Sequence, residues 1–334
     1  FSEVARGTPI FMKALCIFSG GLDSMLAAEI IRDQDVDVLA LFFETPFFDS
    51  SRARQSAGHM ALPLRIVDIT QRHLEVVKKP AHGYGGNMNP CIDCHALMIR
   101  IAGELMPQEQ ADFLITGEVL GQRPMSQNRN ALSMVAEESG VADLLIRPLS
   151  AKHLSPTRPE RRGWVKRERL EGFQGRTRKP QMELAEKLNI TEYPSPAGGC
   201  LLTEKVFSRR LKDLLSADSH PGLPGIELLK LGRHFRISSR AKLVVGRNKR
   251  ENERILKCTS AGDVVLSTAL VPGPVVLVSG SPEDADIEKA AAVTAAYSDA
   301  SDGEETQIKV AGPGGERILP TKALPKEEFA GFMI

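Results

Sequence analysis

Short apolar runs that alternate with helical patterns constrain this chain more than any other feature. Ala14–Phe18 reads as a buried strand and Met25–Arg32 as a helix. Val36–Phe43 predicts a second strand, Arg52–Met60 a weaker helix and Leu64–Ile69 a third strand. His95–Leu105 carries apolar residues at helical spacing; Phe113–Thr116 predicts a fourth strand, Ala131–Glu138 a helix and Leu144–Ile146 a fifth strand. Strands separated by helices run parallel and are joined by crossovers. The predicted fold class is therefore α/β, a doubly wound parallel sheet. Ligands of such sheets sit beyond the carboxyl ends of the strands. Ser19-Gly20-Gly21, Glu44-Thr45 and Thr116-Gly117-Glu118 all fall at such ends and share one rim.

This pattern does not run the length of the chain. Residues 151–180 are rich in proline, glycine and arginine and read as a loop or small insertion. Met182–Leu188 and Val206–Leu215 predict helices, and the stretch between them, "YPSPAGGC", is a turn-rich approach to Cys200. "SADSHPGLPG" (216–225) then reads as a linker. Beyond it "FRISSRAKLVVGRNKREN", "DVVLS" and "GPVVLVSG" predict short strands with turns, and Glu283–Tyr297 a helix. A length of 334 residues is long for one core. Two domains are expected, 12–218 and 222–334, the second a smaller α+β domain. No internal repeat is visible.

Composition excludes some classes and leaves others. Hydrophobic content of 42% and charged content of 25% are ordinary for a globular protein. No apolar run approaches the roughly 18 residues that span a bilayer, so no membrane partner is expected. "FSEVARGTPIF" has neither a basic start nor a long apolar region and does not read as a signal peptide. Met12 opens the first strand pattern and is the expected natural start. Five cysteines without a secretion signal point to a reducing cytoplasm, where cysteine more often binds metal or reacts than forms disulfides. Net charge is +1, but 152–179 and 222–260 each hold ten Lys/Arg against three Glu. Two basic blocks in a neutral chain suit an anionic partner such as nucleic acid, or simply two solvated surfaces.

"FSGGLDSMLAAEII" (18–31) joins the first strand to the first helix. A strand, a glycine turn and a helix start make an anion site, because backbone N–H groups converge there and the helix dipole adds to them. Gly20 and Gly21 permit the turn, and Ser19 and Ser24 add hydroxyls. No Gly-Lys-Ser/Thr follows, so this is not the common ATP-hydrolysing loop. Asp23 would repel a bare phosphate. It makes sense as a holder of Mg2+ or of a reacting group, or as an ordinary helix-start acid.

Cys91 and Cys94, in "NPCIDCHALMIRIAGELM", stand just before a predicted helix. A helix start favours thiolates. Cys200 is the one other cysteine in a loop setting; Cys16 reads as a small core residue and Cys258 as structural in the second domain. Three readings fit the trio. Three thiolates on a four-iron cluster would leave one iron open to sulfide. Without metal, one cysteine would carry a persulfide that a second resolves. A structural zinc could instead be completed by His95 or His82.

"SGGLDS" after a strand resembles the PP-loop of the ATP-pyrophosphatase superfamily, the adenine nucleotide α-hydrolases. With "PCIDC" and "ITGEVLGQRPMSQ" (115–127), residues 12 to about 215 resemble the catalytic domain of tRNA 4-thiouridine synthetases and, more distantly, tRNA 2-thiouridylases. The resemblance implies that Ser19, Gly20, Gly21, Leu22, Asp23 and Ser24 hold the pyrophosphate of ATP. Phe43 and Glu44 would lie near the adenine, and Thr116, Gly117, Glu118 and Gln122 would line the pocket. Cys91, Cys94 and Cys200 match the iron–sulfur-dependent thiolases of the superfamily, which implies a 4Fe-4S cluster. Synthetases of this type usually add an N-terminal RNA-capture domain and a C-terminal rhodanese domain. These residues carry neither, so sulfur relay from a rhodanese is not expected. Instead "FRISSRAKLVVGRNKRENERI" resembles the RNA-binding module of the NFACT family, with Lys242, Arg247, Lys249 and Arg250 as phosphate contacts.

The expected activity is ATP-dependent thiolation of a tRNA uridine. The uridine carbonyl attacks the α-phosphate, pyrophosphate leaves, and sulfur then displaces AMP. Arg161, Arg162 and Lys166 would grip the tRNA. The expected partners are tRNA and a sulfur donor, either sulfide or a persulfide carrier, with a homodimer left open. The rival readings are a PP-loop ligase or synthetase acting on a small molecule, and a non-catalytic RNA-binding protein with a nucleotide pocket.

Overall fold

The computed structural model describes residues 12–195 and 199–334. The N-terminal segment before Met12, and residues 196–198 of the turn leading to Cys200, lie outside the described residues. The chain divides into two compact units between Leu201 and Leu202.

The first unit holds a five-stranded sheet in the order β3-β2-β1-β4-β5, parallel throughout. Its strands are β1 (Lys13–Ile17), β2 (Asp37–Glu44), β3 (Leu64–Asp68), β4 (Phe113–Thr116) and β5 (Leu145–Ile146). Side chains alternate across a strand, and here the two sets enter two separate cores. Ala14, Cys16, Val38, Ala40, Phe42, Phe113 and Ile115 pack on one face, against α1 (Leu22–Arg32) and α2 (Ser51–His59). Leu15, Leu41, Phe43 and Leu114 pack on the other, against α4 (Cys91–Glu109) and α5 (Arg129–Ser139). Burial on both faces is why these strands read as continuous apolar runs. The chain steps outward from β1 to β3 and then returns to β4 on the far side of β1. That reversal is where a doubly wound sheet opens a crevice.

Three elements of this unit differ from expectation. Residues read as connection form α3 (Thr70–Lys78), held by buried His73, Leu74 and Val77. The helix expected from His95 begins at Cys91, where the Cys94 N–H reaches the Pro90 carbonyl at 2.8 Å. Both cysteines therefore sit in its first turn rather than ahead of it. Within the arginine-rich insertion, α6 (Arg158–Arg161) closes a capping box between Thr157 and Glu160. It is followed by α7 (Lys179–Lys187).

The second unit is an antiparallel six-stranded sheet in the order β11-β10-β8-β9-β7-β6. These are β6 (Arg233–Arg236), β7 (Ala241–Val245), β8 (Val264–Thr268), β9 (Val276–Gly280), β10 (Glu305–Gly312) and β11 (Gly315–Lys322). Its helices are α8 (Lys205–Ala217), α9 (Leu223–Leu228), α10 (Lys249–Lys257) and α11 (Asp284–Ala296). The sheet buries Phe235, Leu243, Val278 and Ile308 with Ile287, Ala290 and Val293 of α11. Helix α8 is part of this unit although it precedes the turn-rich linker. Arg210 donates to the carbonyls of Leu229 and Gly232 at 2.9 and 3.1 Å, and Asp213 accepts both branches of Arg236 at 2.9 and 2.7 Å.

Candidate functional site

The loop after β1 is built before any ligand arrives. Gly20 has φ +74°, and a Cβ there would lie 2.7 Å from the Ala53 backbone. Only glycine fits such a position. The Gly20 carbonyl accepts from Ser56 Oγ at 2.8 Å, pinning the turn to α2. Ser24 Oγ donates to the Gly21 carbonyl at 2.8 Å and lies 3.3 Å from Ser19 Oγ. Helix α1 starts at Leu22; the Gly21 N–H goes to Ser19 Oγ at 3.3 Å and the Ser24 N–H to the Gly21 carbonyl at 3.0 Å, which leaves the Leu22 and Asp23 N–H groups for an anion.

Asp23 stands at the edge of this loop. Its Oδ2 accepts from Gln122 Nε2 at 3.0 Å, while Oδ1 is buried without a standard hydrogen bond, although the Gln181 side chain is close enough to act on the carboxyl. Burial raises the carboxyl above its ordinary range, against the lowering effects of Gln122 and of the Arg178 and Arg123 charges. A buried carboxylate oxygen without a standard hydrogen bond suits a hard cation such as Mg2+. Gln181, at the start of α7, is fully buried nearby, with neither amide atom in a standard hydrogen bond.

The Thr116-Gly117-Glu118 segment does something the sequence did not suggest. Gly117 abuts the Asp23–Ser24 backbone so closely that a Cβ would sit 2.6 Å from it. Glu118 is 6% exposed and its Oε2 accepts from Arg147 at 2.8 Å and from Thr116 Oγ1 at 3.1 Å. Its Oε1 meets His95 Nδ1 at 2.9 Å. Burial alone would raise this carboxyl, but Arg147 and His95 outweigh it and hold it at about 2. The segment thus ties the glycine loop to α4, one residue from Cys94. The Phe43 side chain is buried in the core, and Glu44 accepts from the Ser50 N–H and hydroxyl at 3.0 and 2.7 Å.

Helix α3 reaches one of the cysteines, Cys94. His73 is fully buried, and its Nε2 lies 3.2 Å from Cys94 Sγ. Burial lowers this imidazole to about 4, so it is neutral. Its ring packs 5.6 Å from Phe47, whose carbonyl accepts the Leu201 N–H at 3.1 Å. That bond anchors the residue after Cys200 beside the same pocket. Burial raises Cys94 well above the usual thiol range, and charge on Cys200 and Cys91 raises it further. Asn89 Nδ2 reaches Cys91 Sγ at 3.2 Å. Cys91 and Cys94 share the first turn of α4, and Cys200 lies near enough for its charge to act on Cys94; an all-thiol donor set is of the kind that an iron–sulfur group takes. The two histidines considered as zinc ligands are engaged elsewhere: His95 with Glu118, and His82 with Glu138. Cys16 is fully buried in the core, as expected.

Among the basic residues the structure sorts free cations from paired ones. Arg158 and Arg161 both pair with Asp143, at 3.1 and 2.7 Å. Arg162 and Lys166 are exposed, with no carboxylate partner among the described residues. Lys242 corrects an expectation. It is buried at 5% exposure because β7 is an interior strand, and its Nζ lies 3.1 Å from Asp213 of α8. It cannot meet a phosphate. Arg247 is paired with Glu251, whereas Lys249 and Arg250, which open α10, are exposed. No described helix is long and apolar enough to cross a membrane.

Comparison with known proteins follows this division. Residues 11–153 match the family model of the thiamine biosynthesis protein (ThiI). Residues 232–333 match the NFACT protein RNA binding domain. The first match lies within the first unit and the second within the second. A "Probable tRNA sulfurtransferase" of Caldanaerobacter subterraneus subsp. tengcongensis is 30% identical over 44% of this chain and 40% of its own length. Another of that name, from Anoxybacillus flavithermus, is 28% identical over 43% of this chain and 37% of its own. The chain thus spans about two-fifths of the length of the curated relatives it matches. Among solved structures, a predicted subunit of a tRNA methyltransferase from Methanocaldococcus jannaschii aligns at 16% identity over 41% of this chain and 68% of its own, with a TM-score of 0.32. A 4-thiouridine synthetase–RNA complex with bound ATP aligns at 18% identity over 54% of each chain, with a TM-score of 0.31. Likeness at that level carries no argument about function.

Proposed function

We propose that the chain is an ATP-dependent tRNA uridine thiolase that activates the base by adenylation. The observation that carries this reading is the Gly117–Glu118 tie. It packs against Asp23 at one end and, through His95, holds the helix of Cys91 and Cys94 at the other. An anion loop and a thiol cluster are thereby held in one unit. The match of residues 11–153 to the ThiI model, and the names of the sulfurtransferase relatives, support the same reading.

In this account the free N–H groups of α1 and the hydroxyls of Ser19 and Ser24 bind the pyrophosphate of ATP. Mg2+ beside Asp23 Oδ1 would offset the charge of the triphosphate. The uridine, unstacked to reach the rim, attacks the α-phosphate through its carbonyl oxygen. Pyrophosphate leaves, and the base is left with an adenylate as leaving group. A sulfur nucleophile delivered at the thiol site adds to that carbon, and AMP departs. A 4Fe-4S cluster held by Cys91, Cys94 and Cys200 would supply an open iron for sulfide. Arg162 and Lys166 in the first unit, and Lys249 and Arg250 in the second, give tRNA phosphates unpaired cations.

Incubation of the protein with labelled ATP and unmodified tRNA tests the activation step. The expected products are AMP and pyrophosphate, formed only with RNA, and Asp23→Ala lowers the rate at least a hundredfold. Release of ADP and phosphate would refute adenylation. AMP formation at the same rate without RNA would favour the small-molecule ligase.

A further inference from the structure

His73 is the most enclosed polar side chain near the thiols, and nothing in the adenylation chemistry uses it. It is 0% exposed and boxed by two aromatic rings, Phe47 at 5.6 Å and 56° and Phe48 at 5.6 Å and 75°. Its Nε2 contacts Cys94 Sγ at 3.2 Å, and its Nδ1 is buried with no partner. A neutral imidazole carries one proton, and where that proton sits decides what the contact means. If Cys94 donated S–H to Nε2, the ring proton would be on Nδ1, a buried donor with no acceptor. Orphaned buried donors are the rarer and costlier defect in folded proteins. With the proton on Nε2, the ring donates to sulfur and leaves only a bare acceptor behind. A thiol sulfur accepts weakly, but an anionic one accepts a charge-assisted bond about twice as strong as a neutral one. This contact is therefore strong only when Cys94 is a thiolate.

We infer that His73 is a positioning residue that donates its Nε2–H to the Cys94 sulfur and so holds that sulfur as a metal-bound thiolate. The inference rests on the iron–sulfur reading of the cysteine trio. Hydrogen bonds to ligating sulfurs tune both the affinity and the potential of such a site. The Phe47–Phe48 box excludes water, which keeps the bond from being exchanged for a solvent contact. The same box fixes the ring, so α3 aims the donor at the thiol-bearing turn of α4.

Two measurements test this. Nitrogen-15 histidine spectra of the full chain loaded with diamagnetic Cd2+, which binds cysteine as thiolate, report the tautomer of His73. A ring protonated on Nε2 is expected, and one protonated on Nδ1 would overturn the inference. The protein, His73→Phe and His73→Gln are then reconstituted anaerobically with iron and sulfide, and iron retention against a chelator and the reduction midpoint are measured. His73→Phe keeps the ring volume, so it is expected to fold, to hold iron 10–100-fold less tightly and to shift the midpoint to lower potential. His73→Gln, which restores an N–H donor, recovers part of both. Unchanged iron retention and midpoint in His73→Phe would overturn the role. A wild-type chain that takes up no iron at all would instead overturn the iron–sulfur reading, and this inference with it.

Discussion

Single residues set the geometry of the glycine loop. Gly20 combines a left-handed backbone with a 2.7 Å approach to Ala53, so Gly20→Ala must displace α2 as well as strain the turn. The expected cost is about 2 kcal/mol or more, read as a lower melting temperature together with weaker ATP binding. Unchanged values for both would mean that the turn relaxes freely. Glu118 shows how sequence and structure diverge at this scale. By motif it lines a nucleotide pocket; in the fold it is a buried carboxylate between Arg147 and His95. Its folded pKa of about 2 lies below the ordinary 4.5. Its contribution to stability is therefore complete above about pH 4.5 and is lost as pH falls toward 2. Glu118→Gln leaves the Arg147 charge buried without its partner and is expected to cost about 3 kcal/mol at pH 7. Denaturation curves should show the gap to wild type narrowing as the pH falls below 4.5. A gap that stayed constant with pH would contradict the assignment.

At the scale of elements, legibility followed burial. Strands β1, β2 and β4 could be read because both faces are apolar, so each stands out as a short apolar run, too short for a helix. Helix α3 could not, since "TQRHLEVVK" buries only Thr70, His73, Leu74 and Val77, two of them polar, among exposed or half-buried neighbours. It carries the side chain that contacts Cys94, so the missed helix hid part of the site. The start of α4 was read late because Pro90 stands at its cap instead of a Ser, Thr or Asp. Hairpin β10–β11 was passed over although "ETQIKVAG" alternates in burial and Pro313-Gly314 supplies the turn. Lys242 was misjudged because a charge in a strand reads as exposed until a partner such as Asp213 is known. Helix α8 supplies that partner, which gives a test at this scale. A fragment of residues 202–334 should fold cooperatively, whereas residues 222–334 leave Lys242 and Arg236 without Asp213 and should melt at much lower temperature. Equal melting temperatures would show that α8 is dispensable.

For the whole molecule, the two units carry different kinds of chemistry. The first brings a glycine loop at a helix start, a carboxylate with one buried oxygen outside any standard hydrogen bond, and three cysteines into one parallel-sheet unit. The second presents exposed Lys249 and Arg250 on an antiparallel sheet domain that matches an RNA-binding family. Phosphate contacts supply affinity without base choice. Lys249→Ala with Arg250→Ala is therefore expected to weaken tRNA binding and its salt dependence, while RNA-independent ATP binding stays the same. If tRNA affinity is unaffected, the RNA surface lies elsewhere. The central claim is that activation and sulfur delivery meet on one uridine. Nucleoside mass spectrometry of unmodified tRNA after anaerobic incubation with iron-reconstituted protein, ATP and sulfide tests it most directly. One thiouridine per AMP released is expected from the wild type, and none from Cys91→Ala, Cys94→Ala or Cys200→Ala. AMP release without thiouridine, or thiolation that survives loss of the cysteines, would contradict the account.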